Sequence, residues 1–327
     1  MKALVTGANG FIGSHLVEAL VQRGWDVSCL VRRTSRLDSL AGRPVRMVVG
    51  DSRDRESLRP AVRGQDYIFH LAGLINAPDT KTYFEANAGG TLNLLEACLE
   101  EGPPFRRFVH VSSISAAGPS PCGGAPLRED DECRPITDYG RSKLEAERLV
   151  LERADRLPVT IIRPPNVIGP RQKELADSIR LIRRRILPLV GTGRPQTSLA
   201  YVGDVVAALL LAAERPDSRN QIYFVTDGPG HSWREVTRAV IDALGMRGPF
   251  LRVPYGLQLA AAAIAEAVAR LRKTVPVVSL ANVLAARRYC WIYDGSKIER
   301  ELGFRAATDL AEAVRLAVAW VVEGGRR

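Results

Sequence analysis

The sequence predicts an α/β fold: a doubly wound parallel sheet with a smaller, interwoven C-terminal lobe. Three observations support this class. Short apolar runs alternate with segments of helical length through the first half of the 327 residues. Glycine or polar residues follow most of these runs, and the rhythm is typical of parallel strands covered by helices on both faces. Beyond about residue 170 the rhythm loosens without a linker or a repeat, which indicates an interwoven lobe.

The predicted elements follow from these patterns in chain order. Strands are predicted over 2–5, 26–31, 45–49, 66–70, 107–111, 159–162 and 221–226. Helices are predicted where apolar residues recur at helical spacing, over 11–24, 80–101, 137–154, 201–214, 233–244, 254–273 and 310–323. A loop rich in glycine and proline occupies 118–135. Ligands of such sheets bind beyond the carboxyl ends of the strands, so we expect the site there.

A glycine turn lies between the first predicted strand and the first predicted helix. Gly7, Gly10 and Gly13 have a G-x-x-G-x-x-G spacing within T-G-A-N-G-F-I-G. Glycine permits a tight turn and close backbone approach, and a helix N-terminus attracts phosphate through its free N–H groups. In this context the spacing predicts a Rossmann-type dinucleotide site rather than a turn without a ligand.

The change of rhythm near residue 170 indicates how the chain is divided. We expect residues 1–170 to form a dinucleotide-binding Rossmann domain, joined by a later strand and helix near 195–226. Residues 171–327 are expected to form mainly the substrate-binding lobe. The most apolar predicted helix, 256–271, contains Gln258, Glu266 and Arg270, and it is too short and too polar for a membrane span. It is expected to be buried or to lie on the surface.

Composition limits the class of protein. The chain is 46% hydrophobic and 25% charged, which is ordinary for a globular protein. Its net charge of +10 comes from arginines spread along the chain, so no nucleic-acid partner is expected. A basic cluster is formed by Arg180, Arg183, Arg184 and Arg185. Two interpretations of it are kept, a solvated helix face and a contact for a phosphorylated substrate.

Cysteine usage indicates a reduced, cytoplasmic protein. The five cysteines form no C-x-x-C pair and have no histidine at metal spacing, so no metal site is expected. Cys122 and Cys133 could pair within one loop, but no pattern requires that they do.

A tyrosine and a lysine four residues apart are the candidates for chemistry. Tyr139 and Lys143 lie on one face of the predicted helix 137–154. A free phenol, with a pKa of about 10, is a poor acid or base at neutral pH, and a neighbouring ammonium lowers its pKa by stabilising the phenolate. Ser113 ends the fifth strand and supplies a hydroxyl that can hold a substrate carbonyl. The pattern Y-x-x-x-K is common by chance, and the glycine turn gives it weight.

Taken together, the motifs resemble the extended branch of the short-chain dehydrogenase/reductase superfamily. The matching segments, in family order, are T-G-A-N-G-F-I-G (6–13), G-D (50–51), H-L-A-G (70–73), N-A-G-G-T (87–91), V-S-S (111–113), Y-G-R-S-K (139–143), R-P-P-N-V-I-G-P (163–170) and Y-V-G-D-V (201–205). Trp291, Tyr293 and the D-G-S-K segment that follows resemble the tail of sterol-dehydrogenase-like and flavonol-reductase-like members, where we expect a packing role.

The resemblance implies a role for each site residue. Tyr139 would be the general acid/base, Lys143 would bind the nicotinamide ribose, and Ser113 would orient the reacting oxygen, with Ser112 as its alternative. Asp51 would accept from the adenine amino group, and Asn166 would face the substrate. The implied cofactor-binding residues are Gly7, Gly10, Phe11, Ile12, Gly13, Arg32, Asp51, Ser52, Leu71, Ala72, Gly73, Asn87, Tyr139, Lys143, Pro164 and Pro165. Family members commonly pair through two long helices, here 80–101 and 137–154, which implies a homodimer.

The end of the second strand bears on the choice of cofactor. A site that prefers NAD commonly places Asp or Glu there, on the ribose 2′-hydroxyl. This chain has Arg32, Arg33 and Arg36 instead. A guanidinium suits a 2′-phosphate through paired, charge-assisted hydrogen bonds. We therefore expect NADP(H) to be favoured over NAD(H), the alternative being that these arginines are solvated loop residues.

Three reactions are compatible with the resemblance: reduction or oxidation with release of the product, epimerisation of a sugar, and dehydration of a sugar. In dehydratases of the family, an Asp-Glu pair follows the residue that supplies the catalytic hydroxyl. In this chain Ile114 and Ser115 follow Ser113 instead. Sugar epimerases usually place an arginine and an aromatic residue before the Y-V-x-D-V segment, where this chain has 196–200, with Arg194 nearby. The apolar helix 256–271 suits a bulky, rather apolar substrate. We expect an NADP-dependent reductase or dehydrogenase, with a nucleotide-sugar epimerase that retains NAD as the first alternative and a non-catalytic cofactor-binding protein as the second.

Overall fold

The computed structural model describes residues 1–102, 105–187, 195–228, 230–272, 283–284 and 289–324. Its strands, in chain order, are β1 (Lys2–Thr6), β2 (Asp26–Val31), β3 (Arg46–Val49), β4 (Tyr67–His70), β5 (Arg107–Val111), β6 (Val159–Arg163), β7 (Asn166–Ile168), β8 (Ile186–Leu187), β9 (Gln196–Thr197), β10 (Leu199–Tyr201), β11 (Gln221–Phe224), β12 (His231–Ser232) and β13 (Leu251–Arg252). A central sheet of seven strands has the order β11-β6-β5-β4-β1-β2-β3, and its strand pairs are all parallel.

Helices cover both faces of this sheet. In chain order they are α1 (Phe11–Gln22), α2 (Arg55–Val62), α3 (Thr80–Phe84), α4 (Gly90–Glu101), α5 (Ile114–Ala117), α6 (Asp138–Leu151), α7 (Lys173–Arg183), α8 (Val202–Glu214), α9 (Trp233–Ala243), α10 (Tyr255–Arg272), α11 (Ser296–Leu302) and α12 (Leu310–Val322). None of the helices within the described ranges is long and apolar enough to cross a bilayer. The predicted fold class, a doubly wound parallel sheet, is confirmed.

Alternating strand residues supply two cores, one on each side of the sheet. Val5 and the other strand residues on the same face of the sheet pack against α1 and α8. Leu4 and the other strand residues on the opposite face pack against α2 and α4. A third core joins α7, α9 and α12 with Ile168 and Leu199 of the short β7–β10 pair. The short pair connects this outer group of helices to the segment that leaves β6.

The predicted strands of the first half lie within one residue of the observed ones, whereas several helices differ. The helix predicted over 80–101 is divided by a π-helical turn at Glu85–Gly89. Helices α2, α5, α7 and α11 and the short strands β7, β8, β9, β10, β12 and β13 have no predicted counterpart. Lys273, the end of the helix predicted over 254–273, and Arg194 lie outside the described residues.

A disulfide joins Cys122 to Cys290, with Cα atoms 5.1 Å apart. The expectation that all five cysteines are reduced is therefore wrong, as is a pairing of Cys122 with Cys133. Cys133 is a free thiol that accepts a hydrogen bond from Arg163 Nη2 at 3.2 Å. The bonded cysteines are 168 residues apart and meet because Ser120 and Cys290 pair as a β-bridge, which no local sequence pattern signals.

Candidate active site

The glycine turn is packed so closely that two of its glycines, Gly7 and Gly13, admit no side chain. Gly7 has φ of 67°, and a Cβ on it would lie 2.8 Å from the Leu71 carbonyl carbon. A Cβ on Gly13 would overlap the Gly7 carbonyl oxygen. Helix α1 starts at Phe11 after Gly10, without a side-chain cap and without an acidic residue in its first turn. Its N-terminus therefore presents backbone N–H groups and no negative charge.

A groove of about 380 Å³ runs over the carboxyl ends of β1, β2 and β4. The predicted residues that line it are Gly7, Gly10, Phe11, Ile12, Gly13, Arg32, Asp51, Ser52, Leu71, Ala72 and Gly73. Arg33 and Arg36 do not line it, and Asn87, Tyr139, Lys143, Pro164 and Pro165 lie outside its walls. A larger hollow of about 820 Å³ lies along α6 and contains none of the predicted cofactor-binding residues. The smaller groove is therefore the candidate site.

Arg53 is a groove residue that the sequence reasoning missed. Its guanidinium binds both carboxylate oxygens of Asp51, with Nε 3.2 Å from Oδ1 and Nη2 2.9 Å from Oδ2. This hydrogen bonding holds the pKa of Asp51 below its usual value, and the positive charge of Arg32 acts in the same direction. The only sequence signal was its position, two residues after Asp51. Arg32 and Arg53 thus place two cations at the same end of the groove.

Tyr139, Lys143 and Ser113 come together where the groove meets α6. Thr137 caps α6 by accepting a hydrogen bond from the Gly140 N–H at 3.0 Å, which fixes the start of the helix. Ser113 caps α5, and its side chain lies close enough to the Tyr139 phenol to lower the pKa of Tyr139. Lys143 Nζ donates to the carbonyl oxygen of Val111, a groove residue, at 2.8 Å. A phenol, a hydroxyl and an amine therefore lie beside the groove, next to Val111, without lining it.

The pKa of Tyr139 is raised, opposite to the lowering that the sequence predicted. Burial raises it, and the nearby Ser113 side chain only partly opposes this effect. Lys143 Nζ donates to the backbone carbonyl of Val111 rather than to the phenol. Burial also lowers the pKa of Lys143 to about 8, with the nearby Glu147 carboxylate opposing the change.

The two serines at the end of β5 have different surroundings. Ser112 is buried, and its hydroxyl has no hydrogen-bond partner within the described structure. Ser113 is the one that contacts Tyr139. Tyr293 supports the turn that follows, because its buried hydroxyl donates to the carbonyl of Gly118 and lies 3.3 Å from that of Ile114. Tyr293 thus holds the turn after Ser113 besides packing on its surroundings.

Asn87 lies in the π-helical turn and connects the groove to α6. Its side-chain amide accepts from the Leu74 N–H at 2.7 Å and donates to the Leu74 carbonyl at 3.0 Å. It also donates to Ser142 Oγ at 2.9 Å, and Ser142 donates to the Tyr139 carbonyl at 2.8 Å. The wall of the groove and the backbone of Tyr139 are held by one amide.

A buried histidine extends this connection to the glycine turn. Thr91 donates to the Asn87 carbonyl at 2.6 Å, so it accepts from His70 Nε2 at 3.0 Å. Burial lowers the pKa of His70 to about 3, so the imidazole is neutral and its Nδ1 accepts from the Thr6 hydroxyl at 2.7 Å. Thr6 in turn accepts from the Ala72 N–H at 3.1 Å. This directed chain, which fixes the histidine tautomer, was not evident from the sequence.

On the far side of the site, the segment after β6 is tied to the C-terminal half. The Pro164 carbonyl accepts from the Ile114 N–H at 3.1 Å, and Pro165 follows it. Asn166 Nδ2 donates to Thr197 Oγ1 at 2.8 Å. Thr197 is buried, within the 196–200 segment that precedes α8. The polar side chain predicted to face the substrate is therefore paired with a neutral hydroxyl.

Comparison with known proteins agrees with this geometry. The family model of the NAD dependent epimerase/dehydratase family matches residues 3–225. The chain belongs to this family. It is an NAD(P)-dependent enzyme of the extended short-chain dehydrogenase/reductase type. The groove fits the cofactor of the family, because the uncapped N-terminus of α1 and the side-chain-free glycine turn can accept a pyrophosphate at close range.

Individual family members differ in what they act on. The chain is 31% identical over 318 residues to a 4-hydroxy-2-methyl-3-oxo-4-farnesyl-3,4-dihydroquinoline-1-oxide ketoreductase of Stigmatella aurantiaca, covering 93% of this chain and 92% of the relative. It is 32% identical over 339 residues to sterol demethylase protein B of Methylococcus capsulatus, covering 99% of each. The solved structure of MoeE5 in complex with UDP-glucuronic acid and NAD has a TM-score of 0.78 and 28% identity, covering 99% of this chain and all of that one.

Proposed function

We propose that this protein is an NADP(H)-dependent reductase or dehydrogenase of a bulky, rather apolar substrate, acting at a carbonyl or alcohol carbon. The contact between Asn166 and Thr197 carries the proposal. Sugar epimerases of the family usually have an arginine in this region to hold a diphosphate. Here the buried Thr197 hydroxyl accepts a hydrogen bond from Asn166. Within the described residues, this pair therefore presents no positive charge to a sugar nucleotide.

The roles of the site residues are part of the proposal. The bound nicotinamide would supply or take up the hydride. In the direction of reduction, Tyr139 donates its phenolic proton to the carbonyl oxygen, and Ser113 donates a hydrogen bond that holds this oxygen beside it. The Lys143 ammonium stabilises the phenolate that remains. Asn166 belongs to the substrate side, residues 1–170 to the cofactor and residues 171–327 mainly to the substrate.

The relatives support a large apolar substrate. One is named for a farnesylated quinoline oxide and another for a sterol, and the aligned segments cover more than nine tenths of this chain in both. The MoeE5 complex favours the alternative, a nucleotide-sugar epimerase that retains NAD. These two functions differ in how the cofactor is handled, because an epimerase returns the hydride to the same substrate whereas a reductase must exchange its cofactor.

The deciding experiment follows the cofactor of the purified protein. We expect added NADPH to bind and exchange freely, and ketones of sterol or polyprenyl-aromatic size to be reduced while NADPH absorbance falls. UDP-glucose and UDP-glucuronic acid serve as the matched sugar substrates. Tightly held NAD(H) that does not exchange, together with interconversion of a UDP-sugar, would show that the protein is an epimerase instead.

The preference for NADP(H) is proposed from Arg32, the only arginine of its loop that lines the groove. Arg32→Asp is expected to raise KM for NADPH by about 10- to 100-fold, as for loss of a charged hydrogen-bonded pair, and to leave KM for NADH nearly unchanged. Initial rates with both cofactors measure this. Arg46→Asp is the control, since Arg46 is exposed at the amino end of β3, whereas Arg32 follows the carboxyl end of the neighbouring β2. An equal loss with both cofactors, or a wild-type preference for NADH, would contradict the proposal.

A further inference from the structure

The outward face of α10 is apolar along the length of the helix. Leu257 is 61% exposed, Ile264 is 64% exposed and Val268 is 41% exposed. Together with exposed Ala261 they recur at intervals of four, three and four residues, which places them in one stripe. The polar residues Gln258 and Glu266 of this helix are half-buried instead. This arrangement is the reverse of an ordinary surface helix, whose polar side faces water.

A further exposed apolar residue lies in the strand that precedes the helix. Leu251 of β13 is 67% exposed, and its N–H donates to the Arg185 carbonyl at 2.8 Å. Arg185 lies with its guanidinium 5.9 Å from the Phe250 ring centroid and donates to the Arg247 carbonyl at 2.9 Å. The basic cluster at the end of α7 is thus joined directly to the apolar surface.

Exposed arginines lie in the segments that flank Leu251. Arg183, Arg184, Arg185 and Arg247 are all exposed, whereas Arg180 is paired with Asp177. Arg183 and Arg184 are exposed, and neither forms an ion pair with any other residue that the structure describes. Unpaired cations beside an apolar stripe attract an anionic surface that can also accept apolar side chains.

We propose that α10, together with Leu251 and the arginines at 183–185 and 247, docks onto the surface of an anionic lipid bilayer. The helix has 18 residues and so extends about 27 Å. Lying in the membrane plane, it would bury its apolar stripe at the level of the headgroups while the arginines bind lipid phosphates. A second copy of the chain fits less well, because it would bring an equally positive surface against this one.

Vesicle flotation of the full-length protein tests the proposal. We expect binding to vesicles of phosphatidylglycerol mixed with phosphatidylcholine, little binding to phosphatidylcholine alone, and release at high salt. The double variants Leu257→Ser/Ile264→Asn and Arg183→Glu/Arg184→Glu should each weaken binding by about tenfold or more. Val322→Asn is the control, since Val322 is 54% exposed at the end of α12, outside this surface.

The outcomes separate docking from folding and from catalysis. Each substituted side chain is exposed, so melting temperature and NADPH binding are expected to stay at the wild-type values and are measured on the same preparations. Absence of binding to anionic vesicles overturns the proposal, as does binding that neither double variant weakens. A dimer that forms without vesicles and is lost in Leu257→Ser/Ile264→Asn would assign the stripe to self-association instead. The substrate proposed above does not enter this test.

Discussion

Tyr139→Phe is expected to lower kcat by about 10²- to 10⁴-fold, the usual contribution of a positioned general acid. The substitution removes the hydroxyl that meets Ser113 and keeps the ring, which packs 6.2 Å from the ring of Tyr83 between centroids. Cofactor binding should therefore change little. Steady-state rates with the substrate found by the ketone screen measure kcat, and quenching of protein fluorescence by NADPH measures binding.

Tyr83→Phe is the matched control for this prediction. The Tyr83 hydroxyl donates to the Ile75 carbonyl at 3.0 Å, apart from the contact between Tyr139 and Ser113, so most activity should remain. If Tyr139→Phe turns over at the wild-type rate, the assignment of Tyr139 as acid/base is wrong. A wild-type protein that binds NADPH and yet acts on none of the carbonyl, alcohol or sugar-nucleotide substrates would favour the cofactor-binding alternative.

The same chemistry predicts a pH dependence. Burial leaves Lys143 with a pKa of about 8, well below its ordinary value. Below this pH the side chain is an ammonium that stabilises negative charge on the Tyr139 oxygen, and above it the charge is lost. The rate of reduction at saturating cofactor should therefore decline as pH rises through about 8. A rate that stays level well above this pH would contradict a charged role for Lys143.

Sequence predicted the sheet and the groove well because their signals are local. Each strand of the first half is a short apolar run that ends in a polar or glycine residue, and the groove residues follow those ends directly. Helix α2 escaped prediction since it has eight residues and contains Pro60. The π-helical turn at Glu85–Gly89 contains Asn87, which hydrogen-bonds to Leu74, and a helical repeat encodes neither feature.

What the sequence could not predict consists of contacts between distant residues. Thr6, His70 and Thr91 form a directed hydrogen-bond chain only because β1 and β4 are neighbours beneath α4. Cys122 and Cys290 are likewise brought together by the fold. The pKa of Tyr139 was predicted with the wrong sign, because spacing shows that a lysine is near but shows neither the burial of the phenol nor the carbonyl that the lysine binds.

A buried ion pair between Glu147 and Arg163 joins the catalytic helix to the central sheet. Arg163 Nε lies 2.9 Å from Glu147 Oε1, Nη2 lies 2.6 Å from Oε2, and both side chains are 2% exposed. Burial by itself would lower the pKa of Arg163, but the Glu147 carboxylate raises it above its ordinary value, so the guanidinium stays charged. Glu147 is one turn after Lys143, and Arg163 directly precedes Pro164.

Removing one partner of this pair should be costly. Glu147→Gln leaves the guanidinium of Arg163 buried without a counter-charge, and we expect the free energy of unfolding to fall by about 3–5 kcal/mol. Denaturant unfolding followed by circular dichroism measures this, with the slope of the transition checked for a change in the unfolded state. Glu312→Gln is the control, since Glu312 pairs with Arg315 on the exposed side of α12 and its loss should cost less than about 1 kcal/mol.

A double variant separates the charge from the packing. Glu147→Met with Arg163→Met replaces both charges by apolar side chains, and it should recover most of the lost stability, because buried ion pairs are often matched by apolar pairs of similar volume. The carboxylate also opposes the lowering of the Lys143 pKa. Activity of the recovered double variant should therefore begin to fall at a lower pH than in the wild type. If the single variant costs no more than Glu312→Gln, the pair does not anchor α6, and the position of Tyr139 must depend on Thr137, Asn87 and Ser142 alone.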